Sequence, residues 1–163
     1  MYDERVKDFA NFREQDWKRR QEFSVDDWIK YEPEIRDMTR FKEENWDERH
    51  HYTLGDWVKN KEKIQSYEQF KDQDKDKRAL FKLEDWNKHE HQIKEFAAFR
   101  EKSSTDFVRR EDITLVQWVS NSEDVEKFQA FRDRDWSTRQ KFTYANWKSK
   151  PEEIQYLCWL DGD

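Results

Sequence analysis

The sequence predicts an all-α protein, a tandem helical repeat of α-solenoid-like type, whose unit of about 29 residues holds one long helix and one short helix. Three observations predict it. First, a Trp recurs as Trp28, Trp57, Trp86, Trp118 and Trp147, at spacings of 29, 29, 32 and 29 residues. Second, each Trp is preceded by a Phe 16 residues earlier (19 in the fourth copy), namely Phe12, Phe41, Phe70, Phe99 and Phe131, and by an Arg eight residues earlier, namely Arg20, Arg49, Arg78, Arg110 and Arg139. Third, the chain holds only two Gly and two Pro, which leaves little turn chemistry for sheets and much room for helix. Self-similarity at this period marks architectures in which a small unit stacks on its neighbours to bury its apolar face.

The 163 residues divide into repeat 1 at about 4–32, repeat 2 at 33–61, repeat 3 at 62–90, repeat 4 at 91–122, repeat 5 at 123–151 and a terminal part-repeat at 152–163. The three-residue insertion of the fourth copy falls in the Ser103-Ser104-Thr105 run. Within a copy, the apolar positions Val6, Phe9, Phe12, Trp17 and Phe23 span an arc of about 140°, the buried face of an amphipathic helix of about 20 residues. Ile35, Met38, Phe41, Trp46 and Tyr52 repeat the pattern, as do Val125, Phe128, Phe131, Trp136 and Phe142.

A boundary signal follows this long helix. In Phe23-Ser24-Val25-Asp26-Asp27-Trp28, and in the segments ending at Trp57, Trp118 and Trp147, a Ser or Thr stands at an N-cap with Asp, Asn or Gln three residues on. An aromatic or aliphatic residue precedes the cap and faces Trp at the fourth helical position, as in a hydrophobic staple. The third copy has Lys82 at the cap, so its helix start is expected to be weaker. The short helix should run about seven residues, because Pro33 and Pro151 fall just before the next long helix and Asn121-Ser122-Glu123 offers another cap. Ile154, Leu157 and Leu160 match the first apolar positions of one more long helix, expected to act as a terminal cap. The alternative is an extended helical rod in a coiled-coil oligomer, since 29 residues are about eight turns at 3.6 per turn.

Charged residues make up 43% and hydrophobic ones 34%, against roughly 25% and 45–50% in ordinary domains, so material for a central core is scarce. Aromatics at 17% supply it in large pieces and argue against disorder. The net charge of −6 is interleaved along the chain without a basic stripe, which counts against a duplex nucleic-acid partner. Cys158 is the one cysteine and excludes an intrachain disulfide. The chain opens on Met1-Tyr2-Asp3-Glu4-Arg5 without an apolar signal region, and no run approaches 18 apolar residues. The expected place is therefore intracellular and soluble (cytoplasmic), or an assembly formed there, with no classical secretion signal and no membrane partner.

The repeated Arg falls near the middle of the apolar arc. An acidic or amide residue stands four before it, giving the expected pairs Asp16/Arg20, Asn45/Arg49, Asp74/Arg78, Asp106/Arg110 and Asp135/Arg139. A charge there is costly unless paired, and Arg is suited to stacking on an aromatic ring while bonding a carboxylate. Two readings follow: an internal Arg–Asp–Trp ladder that fixes register, or Arg and Trp lining a groove for a partner. The marker Trp residues are expected to be half-buried as staples; an exposed row of five would form a binding strip. Trp17, Trp46 and Trp136, replaced by Lys75 and Phe107 in other copies, belong at the rim. His50, His51, His89 and His91 do not recur at the repeat period and are poorly spaced for a metal, so neither metal nor cofactor is expected. No phosphate loop, nucleophile elbow or His–Glu metal motif occurs, and no catalytic residue is assigned.

The unit resembles α-solenoid repeats in general, but lacks the Trp-Leu-Gly-Tyr pattern of tetratricopeptide repeats and the Thr-Pro-Leu-His of ankyrin repeats. The leading expectation is a non-catalytic structural or protein-interaction protein that presents an extended helical surface to other proteins or to copies of itself, as a homo- or hetero-oligomer in a cellular scaffold or a virus-type particle. An alternative is single-stranded nucleic-acid binding through the periodic Arg and Trp. An enzyme or small-ligand protein would need a deep pocket, which thin helical layers are poor at supplying.

Overall fold

The computed structural model describes residues 2–162, and the chain divides into two compact units, one up to Ser66 and one from Tyr67. Among the described residues there are twelve helices and no strand. The first unit contains α1 (Tyr2–Gln15), α2 (Trp17–Arg20), α3 (Val25–Glu44), α4 (Trp46–Arg49) and the start of α5 (Leu54–Asp72). The second contains the end of α5, then α6 (Lys75–Arg78), α7 (Leu83–Arg100), α8 (Ser104–Arg110), α9 (Leu115–Arg134), α10 (Trp136–Arg139), α11 (Tyr144–Ser149) and α12 (Glu152–Leu160).

The expected 20-residue long helix is broken, and the break recurs. At Asp16 the backbone leaves the helix (φ −155°, ψ 71°), and it does so again at Asn45, Asp74 and Asp135 with φ between −152° and −159°. At two of these four breaks the side chain of the break residue caps the next turn, while Asn45 and Asp135 make no such bond. The Asp16 carboxylate accepts from the Arg19 N–H at 3.3 Å and the Asp74 carboxylate from the Lys77 N–H at 3.3 Å. A short acidic side chain that can cap the following turn offers the backbone an alternative to continuing the ladder. Each break opens a single turn of four residues: α2, α4, α6 and α10. In the fourth copy Ser103 takes the capping role, its Oγ accepting from the Asp106 N–H at 3.0 Å, and the insertion is absorbed as a turn of seven residues, α8.

The short helix ends where the prolines suggest. α3, α5, α7 and α9 each join a short and a long helix across a kink at one non-helical residue: Tyr31, Asn60, His89 and Asn121. Pro33 follows the first kink, in the opening turn of the long helix. A proline cannot donate to the carbonyl four residues back, which is that of Ile29. The Arg5 guanidinium donates to the Ile29 carbonyl instead. Only the fifth copy breaks fully among the described residues: Lys150 caps α11 in the left-handed region (φ 44°), and Pro151, which disfavours helical backbone in the residue before it, leads into α12. The longest helices, α3 and α9, have 20 residues each, so no continuous rod forms.

The caps stand where the sequence places them. The Ser24 hydroxyl accepts from the Asp27 N–H while the Asp27 carboxylate accepts from the Ser24 N–H, both at 3.1 Å. Thr53 with Asp56, Thr114 with Gln117 and Thr143 with Asn146 do the same. In the third copy half of this box remains, the Lys82 N–H donating to Asp85 at 3.3 Å, since a Lys side chain has no oxygen to return the bond. The core of the first unit holds Phe9, Phe12, Trp28, Ile35 and Met38; that of the second holds Phe81, Trp86, Ile93, Phe96, Val125 and Phe128.

Candidate functional site

The single-turn helices bring the repeated Arg back beneath the repeated Phe. Eight residues of unbroken helix would set Arg20 and Phe12 about 12 Å apart along the axis. With the break at Asp16, Arg20 Nη1 donates to the Phe12 carbonyl at 2.8 Å and its guanidinium lies 4.4 Å from the Phe12 ring centre. Arg49 does this to Phe41 (2.8 and 4.2 Å), Arg78 to Phe70 (2.7 and 4.2 Å) and Arg139 to Phe131 (3.0 and 4.5 Å). In the fourth copy Arg110 donates to the Phe99 carbonyl and lies 4.2 Å from its ring, the longer α8 spanning the three added residues.

The carboxylate that neutralises each Arg is not the one expected. Arg20 holds Glu43 with Nε and Nη2, both at 2.9 Å; Arg78 holds Glu101 at 2.9 Å, and Arg139 holds Asp161 at 2.6 and 3.1 Å. These partners lie 22 or 23 residues further on, one repeat later. Of the residues four before the Arg, Asp16 and Asp74 cap the break and pair with Arg19 at 3.8 Å and Lys77 at 3.6 Å. The fourth copy keeps the expected pair in part, Arg110 standing 3.6 Å from both Asp106 and Asp133. Arg49 reaches Glu44 at 3.3 Å, where the sequence had suggested Asn45. A recurrence at this spacing was present in the sequence: Glu43, Asp72, Glu101, Asp133 and Asp161.

The hydrogen bond it donates to Glu43 makes the Arg20 guanidinium more basic than usual, and donation to Asp161 does so for Arg139. In return Arg139, helped by Arg134, holds the Asp161 carboxyl below its ordinary range. A carboxyl whose pKa is lowered by folding adds stability above its unfolded value of about 3.9 and loses it as pH falls through the folded value. Asp161→Asn is therefore expected to destabilise the protein at pH 7 and to narrow its gap from the parent as pH drops below about 4. Urea midpoints measured at both pH values check this. A gap that stays constant with pH would show that the ion pair contributes nothing.

The marker Trp residues are more deeply buried than half. Trp28, Trp57 and Trp86 are 0% exposed, and Trp118 and Trp147 are also buried. Ring centres of Phe12–Trp28, Phe41–Trp57, Phe70–Trp86 and Phe99–Trp118 lie 4.8–5.0 Å apart. In the fifth copy Trp147 meets Phe128 and Tyr144 instead, at 6.1 and 6.2 Å. The rim positions fit their sequence pattern. Trp17 lies beside Arg13 at 4.9 Å, Trp46 beside Arg19 and Lys42, and Trp136 beside Arg109 and Arg132. In the first four copies the structure thus brings Arg, Phe and Trp together in a largely buried cluster, with the carboxylate at its edge. The Phe was noted in the sequence but not as the ring the Arg would cover.

The histidines do other work. His50 and His51 meet edge to face at 6.2 Å, His91 pairs with Glu95 at 3.0 Å on the surface, and His89 is a kink residue. One groove of about 410 Å³ near α12 is lined by Asp124, Lys127, Phe131, Arg134, Trp147, Lys150 and Cys158. No helix among the described residues is long and apolar enough to cross a membrane. The chain matches no family model, and neither curated proteins nor solved structures give a match.

Proposed function

We propose that this chain is a non-catalytic structural or protein-interaction protein, an α-solenoid-like helical repeat that presents a helical surface to other proteins or to copies of itself. The observation that supports it most is the outer face of α12. Tyr156, Trp159 and Leu160 are 59%, 70% and 55% exposed, and the Tyr156 and Trp159 rings stack at 6.1 Å with 29° between their planes. In the other copies the Tyr156 position holds Asp8, Asp37, Ser66, Glu95 and Lys127, and the Trp159 position holds Asn11, Arg40, Gln69, Ala98 and Ala130. Internal packing therefore does not call for rings there. Ile154 and Cys158 supply the buried side of the same helix. Contiguous exposed apolar side chains of this size mark interaction sites, and Trp and Tyr are the residues that most often anchor them. The nucleic-acid reading loses its main support, because the marker Trp rings are interior and offer no face on which bases could stack.

Light scattering tests the reading. The parent chain at about 100 μM is expected to run above monomer mass, and the double variant Tyr156→Lys with Trp159→Lys to run as a monomer with an unchanged helical spectrum. A monomeric parent that also recovers no protein partner removes the reading.

A further inference from the structure

Directly after the repeated Phe, every copy carries a second cation: Arg13, Lys42, Lys71, Arg100 and Arg132. Where this cation is most deeply placed it holds both a carboxylate and a backbone carbonyl. Lys42 Nζ donates to Glu22 at 2.8 Å and to the Tyr52 carbonyl at 2.8 Å. Arg132 holds Asp112 at 2.9 and 3.0 Å and donates to the Phe142 carbonyl at 3.2 Å. In both cases the carboxylate lies 20 residues before the cation and the carbonyl ten residues after it. Arg13 shows the carbonyl half, donating to Phe23 at 3.2 Å.

Arg100 differs. It is 4% exposed, with its guanidinium 5.2 Å from the Phe96 ring centre and 5.0 Å from that of Phe107, and it makes no hydrogen bond or ion pair among the described residues. Two sequence changes explain this. Twenty residues before Arg100 stands Leu80, where Glu22 and Asp112 stand relative to Lys42 and Arg132. The three-residue insertion also moves Ile113, the counterpart of Tyr52 and Phe142, to thirteen residues after the cation. Burial is the main reason the Arg100 guanidinium is less basic than usual. The Arg100 Nε is buried without a hydrogen-bond partner, which is costly, and a ligand that brings acceptors to this guanidinium gains hydrogen bonds that the chain itself does not supply.

We infer that Arg100 receives a carboxylate from outside the chain, the acidic side chain of a partner protein, in the place that Glu22 and Asp112 fill elsewhere in the same molecule. Access follows from those two: their side chains are 41% and 47% exposed while the cations they hold are buried, so the carboxylate comes in from the solvent side. Leu80, at the matching position, is exposed as well. A carboxylate is favoured over phosphate, because one guanidinium balances one negative charge and the nearby Glu101 and Glu111 oppose a dianion more strongly. The inference takes its class of partner from the protein-interaction reading but stands on a separate site, so the α12 double variant should retain it.

Arginine side-chain NMR on the full chain tests this, with Arg100→Gln assigning the resonance and a hexaglutamate peptide and inorganic phosphate as probes. The peptide is expected to shift the Arg100 guanidinium signals saturably. In Leu80→Glu those signals should be displaced from the start, respond at least tenfold less to the peptide, and accompany a higher melting temperature. Leu80→Gln, of the same size without the charge, should keep the response. The absence of a peptide-dependent shift in the parent chain overturns the inference, as does an equal response in Leu80→Glu or a response to phosphate alone.

Discussion

Trp28→Ala will cost about 3–5 kcal/mol, the range for removing a large aromatic from a closed core. Trp28 is fully enclosed, with Phe9 at 5.6 Å, Phe12 at 4.8 Å and the Arg36 guanidinium at 4.7 Å from its ring. Truncation leaves a cavity bordered by the Phe9 and Phe12 rings, with the Phe12 backbone held by Arg20, so collapse into the space is limited. Trp17 in the same unit is the control. It is 53% exposed, and Trp17→Ala is expected to stay within about 1 kcal/mol. Because the Trp28 indole N–H has no hydrogen-bond partner, Trp28→Phe loses volume but no bond and should cost roughly half as much as the Ala change. Urea denaturation of the three variants measures this. Equal losses at Trp17 and Trp28 would show that burial does not govern the series.

The same residues show what a sequence discloses and what it hides. The all-helical class, the marker Trp at the fourth helical position and the caps at Ser24, Thr53, Thr114 and Thr143 were legible because each rests on chemistry within a few residues of chain. So was the weaker start at Lys82. The break at Asp16 was missed because an Asp at that point satisfies two rules at once, pairing with a cation four residues on or capping the next turn, and periodicity does not choose between them. The end of the short helix ahead of Pro33 was legible too, the kink at Tyr31 falling two residues before the proline; that Arg5, 24 residues away, donates to the Ile29 carbonyl was not. The partners of the repeated Arg lay one full repeat distant. Their spacing of 22 or 23 residues recurs in the sequence, but it becomes meaningful only when packing sets one copy's Arg against the next copy's long helix, as Arg20 and Glu43 are set within the first unit. Site roles were harder still. A row of Trp and Arg reads equally well as a core or as a strip, and only the burial of the Trp rings bears on the choice.

Asp112→Ala will cost about 3 kcal/mol, near the lower end for stranding one member of a buried ion pair. Arg132 is among the most deeply buried side chains in the protein and would lose the carboxylate held by both its Nη atoms. It would keep the Phe142 and Arg109 carbonyls and Gln129 Oε1, which is why the loss should not reach the top of that range. Arg132→Met removes the buried charge but strands those same acceptors, and should cost on the order of 1–3 kcal/mol. The double change Asp112→Leu with Arg132→Met is then the informative one. Removing both charges abolishes the desolvation penalty along with the attraction, so the double variant should be more stable than Asp112→Ala and lose no more than Arg132→Met, about 1–3 kcal/mol. Thermal or urea unfolding of the cycle checks this. A double variant that loses as much as the two single ones together would mean the pair contributes independent stabilising terms, whereas recovery of stability would assign it a role in register: a buried Arg finds its carboxylate one repeat earlier and its carbonyl ten residues on, and only one alignment of neighbouring helices satisfies both.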